Sequence, residues 1–160
     1  MADFFSIFGT LPHLKDVKQG LGNIRTFSSP QSSDIRDEFP RFAAAIAKEI
    51  GPQITSTQLR RFYTYVKSVE MVNRHNDPAS DKINDRYKLR FILPKIAGTG
   101  EKERKSLHGL YEILSICVLD GNKIQTVSDL RLFVEFFEAI LDYHASLQKE
   151  DSNSNKGDRR

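Results

Sequence analysis

Apolar residues recur along this chain at helical intervals, and the pattern is clearest near the C-terminus. Between Thr126 and Lys149 they lie three and four positions apart and predict one long helix with an apolar stripe: Leu130, Phe133, Phe137, Ile140, Leu141 and Leu147. Thr126 followed three residues later by Asp129 predicts a capping box at its start. An aromatic surface of this size needs other helices on at least two sides, so we expect this helix at the centre of a bundle.

The same periodicity predicts four further helices upstream. Pro40 is expected to start or kink the first of them, and Pro94 to bend the third. Tyr87 and Phe91 fall on the apolar side of the third helix and are expected to be buried. The four predicted helices cover residues 34–50, 57–74, 82–97 and 101–119.

The two ends of the chain lack a sustained apolar pattern. Residues 1–33 are therefore predicted to form a flexible segment, and residues 150–160 a disordered tail. A short amphipathic helix from Phe4 to Leu14 is expected to dock on the bundle or on a partner, because it has no basic face for a membrane surface. The predicted fold class is therefore all-α: a single-domain bundle of about five helices over residues 34–149, with no convincing strand.

Composition narrows the class of protein. The chain has 160 residues, of which 39% are hydrophobic and 28% charged, as is typical of a globular domain. Cys117 is the single cysteine, so no intramolecular disulfide can form, and we expect a cytoplasmic protein. No apolar run reaches the length of a membrane span, so no membrane partner is expected.

Positive charge is concentrated in the middle of the chain. Residues 60–105 hold twelve Lys and Arg against six Asp and Glu, a net charge of +6, whereas the whole chain carries +3. Arg60, Lys67 and Arg74 recur every seven residues and so share one stripe of a helix, with Arg61 beside it. The stripe predicts either a track for a phosphate backbone or an ordinary solvated helix surface.

Two motifs near residue 100 resemble catalytic or nucleotide-binding sequences without meeting their spacing. Gly98 to Lys102 contains two glycines and a lysine, but it lacks the phosphate-loop spacing and follows a predicted helix rather than a strand. Arg104 and His108 are separated by three residues, one fewer than the R-x4-6-H motif of helical HEPN ribonucleases requires. Neither motif supports a nucleotide site or a nuclease by itself.

No residue pattern predicts a metal site. The four histidines do not pair at ligand spacing. Glu135, Glu138 and Asp142 share one face of the last helix, which is more typical of a solvated acidic face than of a metal site. We therefore expect no catalytic residues, no cofactor and no metal.

Three segments resemble the small subunit of the type III-A CRISPR Csm effector complex. They are L-R-R-F-Y from Leu59, L-P-K-I-A from Leu93, and F-V-E-F-F-E-A-I-L-D-Y-H from Phe133, in the order and separations of the family. The last segment is the most specific, and the resemblance covers residues 55–149. After the middle segment the family continues with tyrosine, alanine and then arginine, whereas this chain has Gly98-Thr99-Gly100 and its next arginine is Arg104.

The resemblance implies an all-α subunit that stacks in more than one copy along a ribonucleoprotein filament. Its implied partners are the crRNA, the target RNA, other copies of itself, the backbone subunits and the large polymerase-like subunit. Base pairing supplies sequence information in a guided complex, so the protein needs only shape and charge to hold the RNA backbone. The RNA-binding residues expected on this basis are Arg60, Arg61, Lys67, Lys95, Arg104 and Lys105.

Three residues of the matched segments have other expected roles. Tyr63 is a candidate for stacking on a base, although its inner-face position is more typical of a core aromatic. Glu138 and Tyr143 are expected to act in packing or in hydrogen bonds between helices. Two other functions stay open from the residues alone: a HEPN-type ribonuclease that depends on His108, and a protein-only helical adaptor whose basic stripe meets an acidic partner.

Overall fold

Seven α-helices and four short 3-10 helices make up the computed structural model, which describes residues 4–99, 104–119 and 122–157, without the side chains of residues 53, 104–106 and 148–157. The predicted all-α class is confirmed, with seven helices in the described residues rather than about five. The α-helices are α1 (Leu14–Gly22), α2 (Ser33–Asp37), α3 (Phe39–Ile50), α4 (Ser56–Val72), α5 (Ile92–Ala97), α6 (Arg104–Val118) and α7 (Val127–Gly157). The 3-10 helices are Ser6–Phe8, Pro30–Ser32, Gly51–Gln53 and Arg86–Phe91.

Helix α7 packs against both α3 and α4, as its wide apolar stripe predicts. Its stripe residues Phe133 and Phe137 are fully buried. The ring of Phe133 meets Phe27 edge-on at 5.7 Å between centroids, and Phe136 meets Phe39 at 4.9 Å. The aromatic side chains of α7 therefore form the centre of the core.

The capping box predicted at the start of α7 is present. The backbone N–H of Asp129 donates to Thr126 Oγ1 at 3.2 Å, and the backbone N–H of Thr126 donates to Asp129 Oδ2 at 2.9 Å. The Asp129 carboxylate also accepts from the backbone N–H groups of Gln125 at 3.0 Å and Ser28 at 2.7 Å. Burial alone would raise the pKa of Asp129, but the hydrogen bonds from Ser28, Thr126 and Gln125 hold it below its ordinary value.

The structure differs from the flexible segment predicted up to residue 33. Helix α1 packs against α6, and five apolar side chains from the described part of this segment are buried: Phe5, Val17, Leu21, Ile24 and Phe27. The buried Lys123 Nζ donates to the carbonyl oxygens of Ile24 at 2.9 Å and Gly22 at 3.2 Å, at the C-terminal end of α1. Leu14, Val17 and Leu21 lie three and four positions apart on the inner face of α1, but this helix has only nine residues and includes Gly20 and Gly22, which favour a loop in the sequence.

The amphipathic helix predicted from Phe4 to Leu14 is a single 3-10 turn that docks on its own bundle. The rings of Phe5 and Phe8 lie 5.4 and 6.0 Å from the ring of Tyr143 on α7. Gly9 ends the turn with a φ of +67°, a conformation that favours glycine. Tyr143 thus has the packing role expected of it.

Two of the predicted helices are each divided in the structure. Residues 34–50 form α2 and α3, and Pro40 lies in the first turn of α3, so it marks a start rather than a kink. Residues 82–97 form the 3-10 helix Arg86–Phe91 and the short α5, preceded by Asp85 in a left-handed conformation with a φ of 60°. Pro94 lies in the first turn of α5, where its missing N–H costs no hydrogen bond, so it stands at the start of a helix rather than within one.

The predicted burial of Tyr87 and Phe91 is wrong. A 3-10 helix has three residues per turn, so Leu89 and Ile92 share its inner face and are buried. Tyr87 and Phe91 instead lie outside that face, with 62% and 54% of their surfaces exposed. The α-helical spacing assumed from the sequence therefore assigned both aromatic rings to the wrong side.

Helix α7 continues to Gly157, beyond the predicted end at Lys149. Extending an existing helix needs no new nucleus, so a polar segment can add backbone hydrogen bonds without an apolar stripe. A helical backbone therefore occupies most of the predicted disordered tail, and residues 158–160 lie outside the described part. Residues 120 and 121, between α6 and α7, also lie outside it.

A buried histidine makes the stability of this fold dependent on pH. His144 on α7 is fully buried, and its Nδ1 lies 3.5 Å from Ser56 Oγ at the start of α4. Burial lowers the pKa of His144 below its ordinary value, and hydrogen bonds to the backbone of Ile54 and Gly51 oppose this only in part. The folded protein therefore binds a proton here less readily than the unfolded chain does.

We expect the free energy of unfolding to fall as the pH drops below about 6.5, where His144 becomes protonated in the unfolded chain. Above about pH 6.5, His144 does not reduce the free energy of unfolding, because its imidazole is neutral in both the folded and the unfolded state. Urea denaturation between pH 7.5 and pH 5 should show the decline in the wild type and a flatter profile in His144→Asn. An identical decline in His144→Asn would contradict the assignment. The matched control is His75→Asn at an exposed position, which should keep the wild-type decline.

Candidate nucleic-acid interface

A surface groove of about 590 Å³ runs between α4 and α5. Arg61 and Lys95 are its two cations, and none of its described lining residues is acidic. Three aliphatic hydroxyl groups lie beside them, from Thr64, Ser68 and Thr99. The hydroxyls of Ser68 and Thr99 donate to the backbone oxygens of Tyr65 and Ile96, so it is the positive charge of Arg61 and Lys95 that suits the groove to a phosphate backbone.

Helix α4 orients its wall of the groove through a fixed start and a buried face. The Gln58 backbone N–H donates to Thr55 Oγ1 at 3.1 Å, and the Thr55 backbone N–H donates to Gln58 Oε1 at 2.9 Å, which completes a capping box. Apolar residues at helical spacing then bury the opposite side of α4. This leaves Arg61 and Ser68, seven residues apart, on the groove. The buried residues are Leu59, Phe62, Val66 and Val69.

Lys95 is held at the groove by an aromatic ring that the sequence did not single out. Its ammonium lies 4.6 Å above the ring centroid of Tyr65, at cation–π distance. The Tyr65 hydroxyl donates to the backbone oxygen of Lys88 at 2.7 Å, which fixes the ring. Burial raises the pKa of Tyr65, so the hydroxyl remains a protonated donor. Tyr65 and Lys95 are thirty positions apart, so no local pattern could have paired them.

The structure does not bring all of the predicted cations together. Arg60 is exposed on a flank of α4 that lies about 100° around the helix axis from Arg61. Lys67 shares that flank, and its Nζ lies 2.9 Å from Oε2 of Glu70, a largely buried carboxylate. Lys67 is therefore partly neutralised within its own helix, and the groove itself contains only Arg61 and Lys95 of the six predicted residues.

Arg104 and Lys105 begin α6, and their side chains lie outside the described residues. One turn later, His108 Nε2 lies 2.5 Å from Glu112 Oε1, and Glu112 also pairs with Lys18. The hydrogen bond from Lys18 and the charges of both partners lower the pKa of Glu112, against the effect of burial. His108 thus belongs to a surface network that joins α6 to α1.

The remaining candidate residues have structural surroundings. Tyr63 is half-buried and its ring lies 6.0 Å from Phe137, which agrees with the core role rather than with stacking on a base. Glu138 and Asp142 are exposed on α7. Within the described residues, no three His, Cys, Asp or Glu side chains come together as a metal site would require. Of the described helices, none has the length and hydropathy needed to cross a bilayer.

Comparison with known proteins yields one match. The sequence model of the family described as Csm2 Type III-A matches residues 34–150, which is more than two thirds of the chain and includes every residue that lines the groove. No curated protein and no solved structure matches this chain.

Proposed function

This chain belongs to the Csm2 family of type III-A CRISPR systems, a family of structural small subunits of the Csm complex, and we propose that it binds RNA there without cutting it. It would line the ribonucleoprotein filament and contact the backbone of the crRNA and its target in antiviral defence. The observation that carries this proposal is the groove lined by both Arg61 and Lys95, with no acid among its described lining residues. Its other proposed partners are further copies of itself, the backbone subunits and the large subunit, in the cytoplasm.

The chemistry of the groove suits binding that ignores sequence. Its two cations can contact phosphate oxygens, which are the same at every nucleotide. In a guided complex the crRNA reads the target by base pairing, so a subunit that read bases would add nothing to specificity. A contact confined to the backbone is therefore the function that this surface supports best.

The six proposed RNA-binding residues differ in how the fold presents them. Arg61 and Lys95 share the groove, and Arg60 extends the positive surface onto the next flank of α4. Lys67 would have to exchange Glu70 for a phosphate. The remaining two, Arg104 and Lys105, begin α6, and Arg104 is proposed in place of the arginine that the family carries after its middle segment.

The proposal predicts how RNA affinity depends on salt. Each phosphate contact contributes about −0.7 to the slope of log K against log salt on single strands. We expect the slope of Arg61→Ala/Lys95→Ala to be shallower than the wild-type slope by about 1.4. Fluorescence anisotropy with a labelled single-stranded RNA, titrated at several salt concentrations, measures this change.

The matched control is Lys15→Ala/Lys48→Ala, which removes the same charge from two exposed positions outside the groove. Equal slopes in the two double variants would mean that net charge, and not the groove, binds RNA. If the isolated chain binds no RNA, the same variants are compared in a reconstituted complex loaded with crRNA. Unchanged target binding in that complex would contradict the proposal and favour a protein-only adaptor.

The same samples test the non-catalytic part of the proposal. RNA incubated with purified wild-type protein should remain intact on a denaturing gel. Cleavage that persists through purification and disappears in His108→Ala would instead support a HEPN-type ribonuclease.

A further inference from the structure

Two aromatic rings stand out on the surface next to the groove. Tyr87 and Phe91 expose 62% and 54% of their surfaces, and their ring centroids lie 6.2 Å apart with the planes nearly perpendicular, at 86°. Aromatic side chains are normally among the most buried in a small domain. An exposed pair in mutual contact therefore calls for a binding role.

The charge around this pair is mostly positive along the chain, although Asp85 lies two residues before Tyr87. The segment from Arg86 to Lys95 contains four cations and no acidic residue. Arg90 is exposed between the two rings in sequence, and Lys95 faces the groove. Lys88 is the one of these four cations that forms a salt bridge in the described structure, because its Nζ lies 3.2 Å from Oδ2 of Asp85. The remaining positive charge favours a polyanionic partner with flat, aromatic components.

The backbone under the rings is held at several points. Leu89 and Ile92 are buried in the core on either side of Phe91. The Tyr65 hydroxyl donates to the backbone oxygen of Lys88, and the Arg86 guanidinium donates to the backbone oxygen of Gln125 at 2.6 Å. The two rings therefore project from an anchored element, so binding a ligand would require little additional ordering.

We propose that Tyr87 and Phe91 form a stacking platform for unpaired bases of RNA, an inference that rests on the proposed function. Single-stranded nucleic acids bind to positive surfaces that carry exposed aromatic rings, and stacking accepts every base because each has a π-face. Perpendicular rings cannot sandwich one base, so a base stacks on one ring and meets the edge of the other.

The platform lies directly beside the groove that binds the backbone. Helix α5 follows the 3-10 helix without a break, and its residues Pro94 and Lys95 line the groove. A strand whose phosphates follow Arg61 and Lys95 can therefore turn its bases toward Phe91 and Tyr87. The bases that stack there would be those left unpaired in the complex, because the bases of the crRNA–target duplex are already stacked on one another.

The test separates base contacts from phosphate contacts by using two RNAs of equal length and charge. One carries all of its bases, and the other is abasic throughout. The wild-type chain should bind the base-bearing RNA about tenfold more tightly, a factor typical of stacking on one aromatic side chain. Tyr87→Ala/Phe91→Ala should bind both RNAs equally, while its salt slope stays that of the wild type.

Two further variants make the result specific. Tyr87→Phe keeps the ring and should keep the tenfold preference. Phe4→Ala removes an aromatic ring that is equally exposed, at 59%, outside this platform, and it should also keep the preference. Arg61→Ala/Lys95→Ala should show the converse result, a shallower salt slope with the preference retained.

A wild-type chain that binds both RNAs equally, or a double variant that keeps the tenfold preference, overturns the platform but leaves the backbone groove intact. Absence of any RNA binding by the isolated chain also overturns the platform, and the proposed function is then decided by the reconstituted complex. Loss of complex assembly in Tyr87→Ala/Phe91→Ala, with RNA binding unchanged, would assign the two rings to a protein partner instead.

Discussion

Replacing Phe133 by alanine should lower the free energy of unfolding by about 4 kcal/mol, the largest effect that we expect of a single substitution in this chain. The Phe133 ring is fully buried and contacts Phe27, so its removal loses apolar burial and leaves a cavity between α7 and the segment after α1. Urea denaturation followed by circular dichroism measures the change.

The matched control is Phe91→Ala, which removes the same side chain from an exposed position. We expect it to change stability by no more than about 0.5 kcal/mol. Phe133→Leu keeps much of the buried volume and should cost less than Phe133→Ala. If Phe133→Ala and Phe91→Ala were equally stable, the apolar stripe of α7 would not be the centre of the core.

Replacing Asp129 by alanine should lower the free energy of unfolding by about 3 kcal/mol. The substitution removes the acceptor for the backbone N–H groups of Ser28, Gln125 and Thr126, and leaving a buried donor unpaired costs about 1 kcal/mol or more. It also removes a negative charge from the start of α7, where the helix dipole favours one. Asp142→Ala, which removes an exposed acid from the same helix, should have little effect.

The contribution of Asp129 to the free energy of unfolding should disappear in acid. Because its pKa in the folded protein is lowered, its contribution is complete above the unfolded value of about 3.9 and is lost as the pH falls through the folded value. The difference in stability between the wild type and Asp129→Ala should therefore shrink below pH 4. A difference that stays constant down to pH 2 would mean that the charged form of Asp129 is not what the fold stabilises.

Patterns within a single helix predicted the structure correctly, whereas features that depend on distant contacts were missed. The apolar stripe of α7 and the capping box of Thr126 and Asp129 are confirmed, because both depend on spacings of three and four residues within one helix. Helix α1 was not predicted, because it has only nine residues, includes Gly20 and Gly22, and is held by Lys123, which lies 99 positions from Ile24 in the chain. Periodicity cannot detect a helix that depends on such distant contacts.

The candidate site also combines features that the local sequence predicts with features that only the tertiary structure shows. The sequence shows that residues 60–105 are strongly basic, and helical spacing correctly places Arg60 and Lys67 on one flank of α4. It does not show that Lys67 is paired with Glu70 in the structure, or that Arg61 and Lys95 line the same groove. The change from α-helical to 3-10 geometry at residues 86–91 also reverses the expected side of Tyr87 and Phe91.

The helical class, the central helix, its cap and the basic middle of the chain follow from the sequence, because each depends on neighbouring residues or on composition. The groove and the exposed aromatic pair are properties of the tertiary structure. Burial of Leu89 and Ile92 places the 3-10 helix and α5 against α4, and this packing puts Lys95 over Tyr65, thirty residues away in the chain. No local propensity encodes such a contact, since it forms only when separate helices bury their apolar faces together.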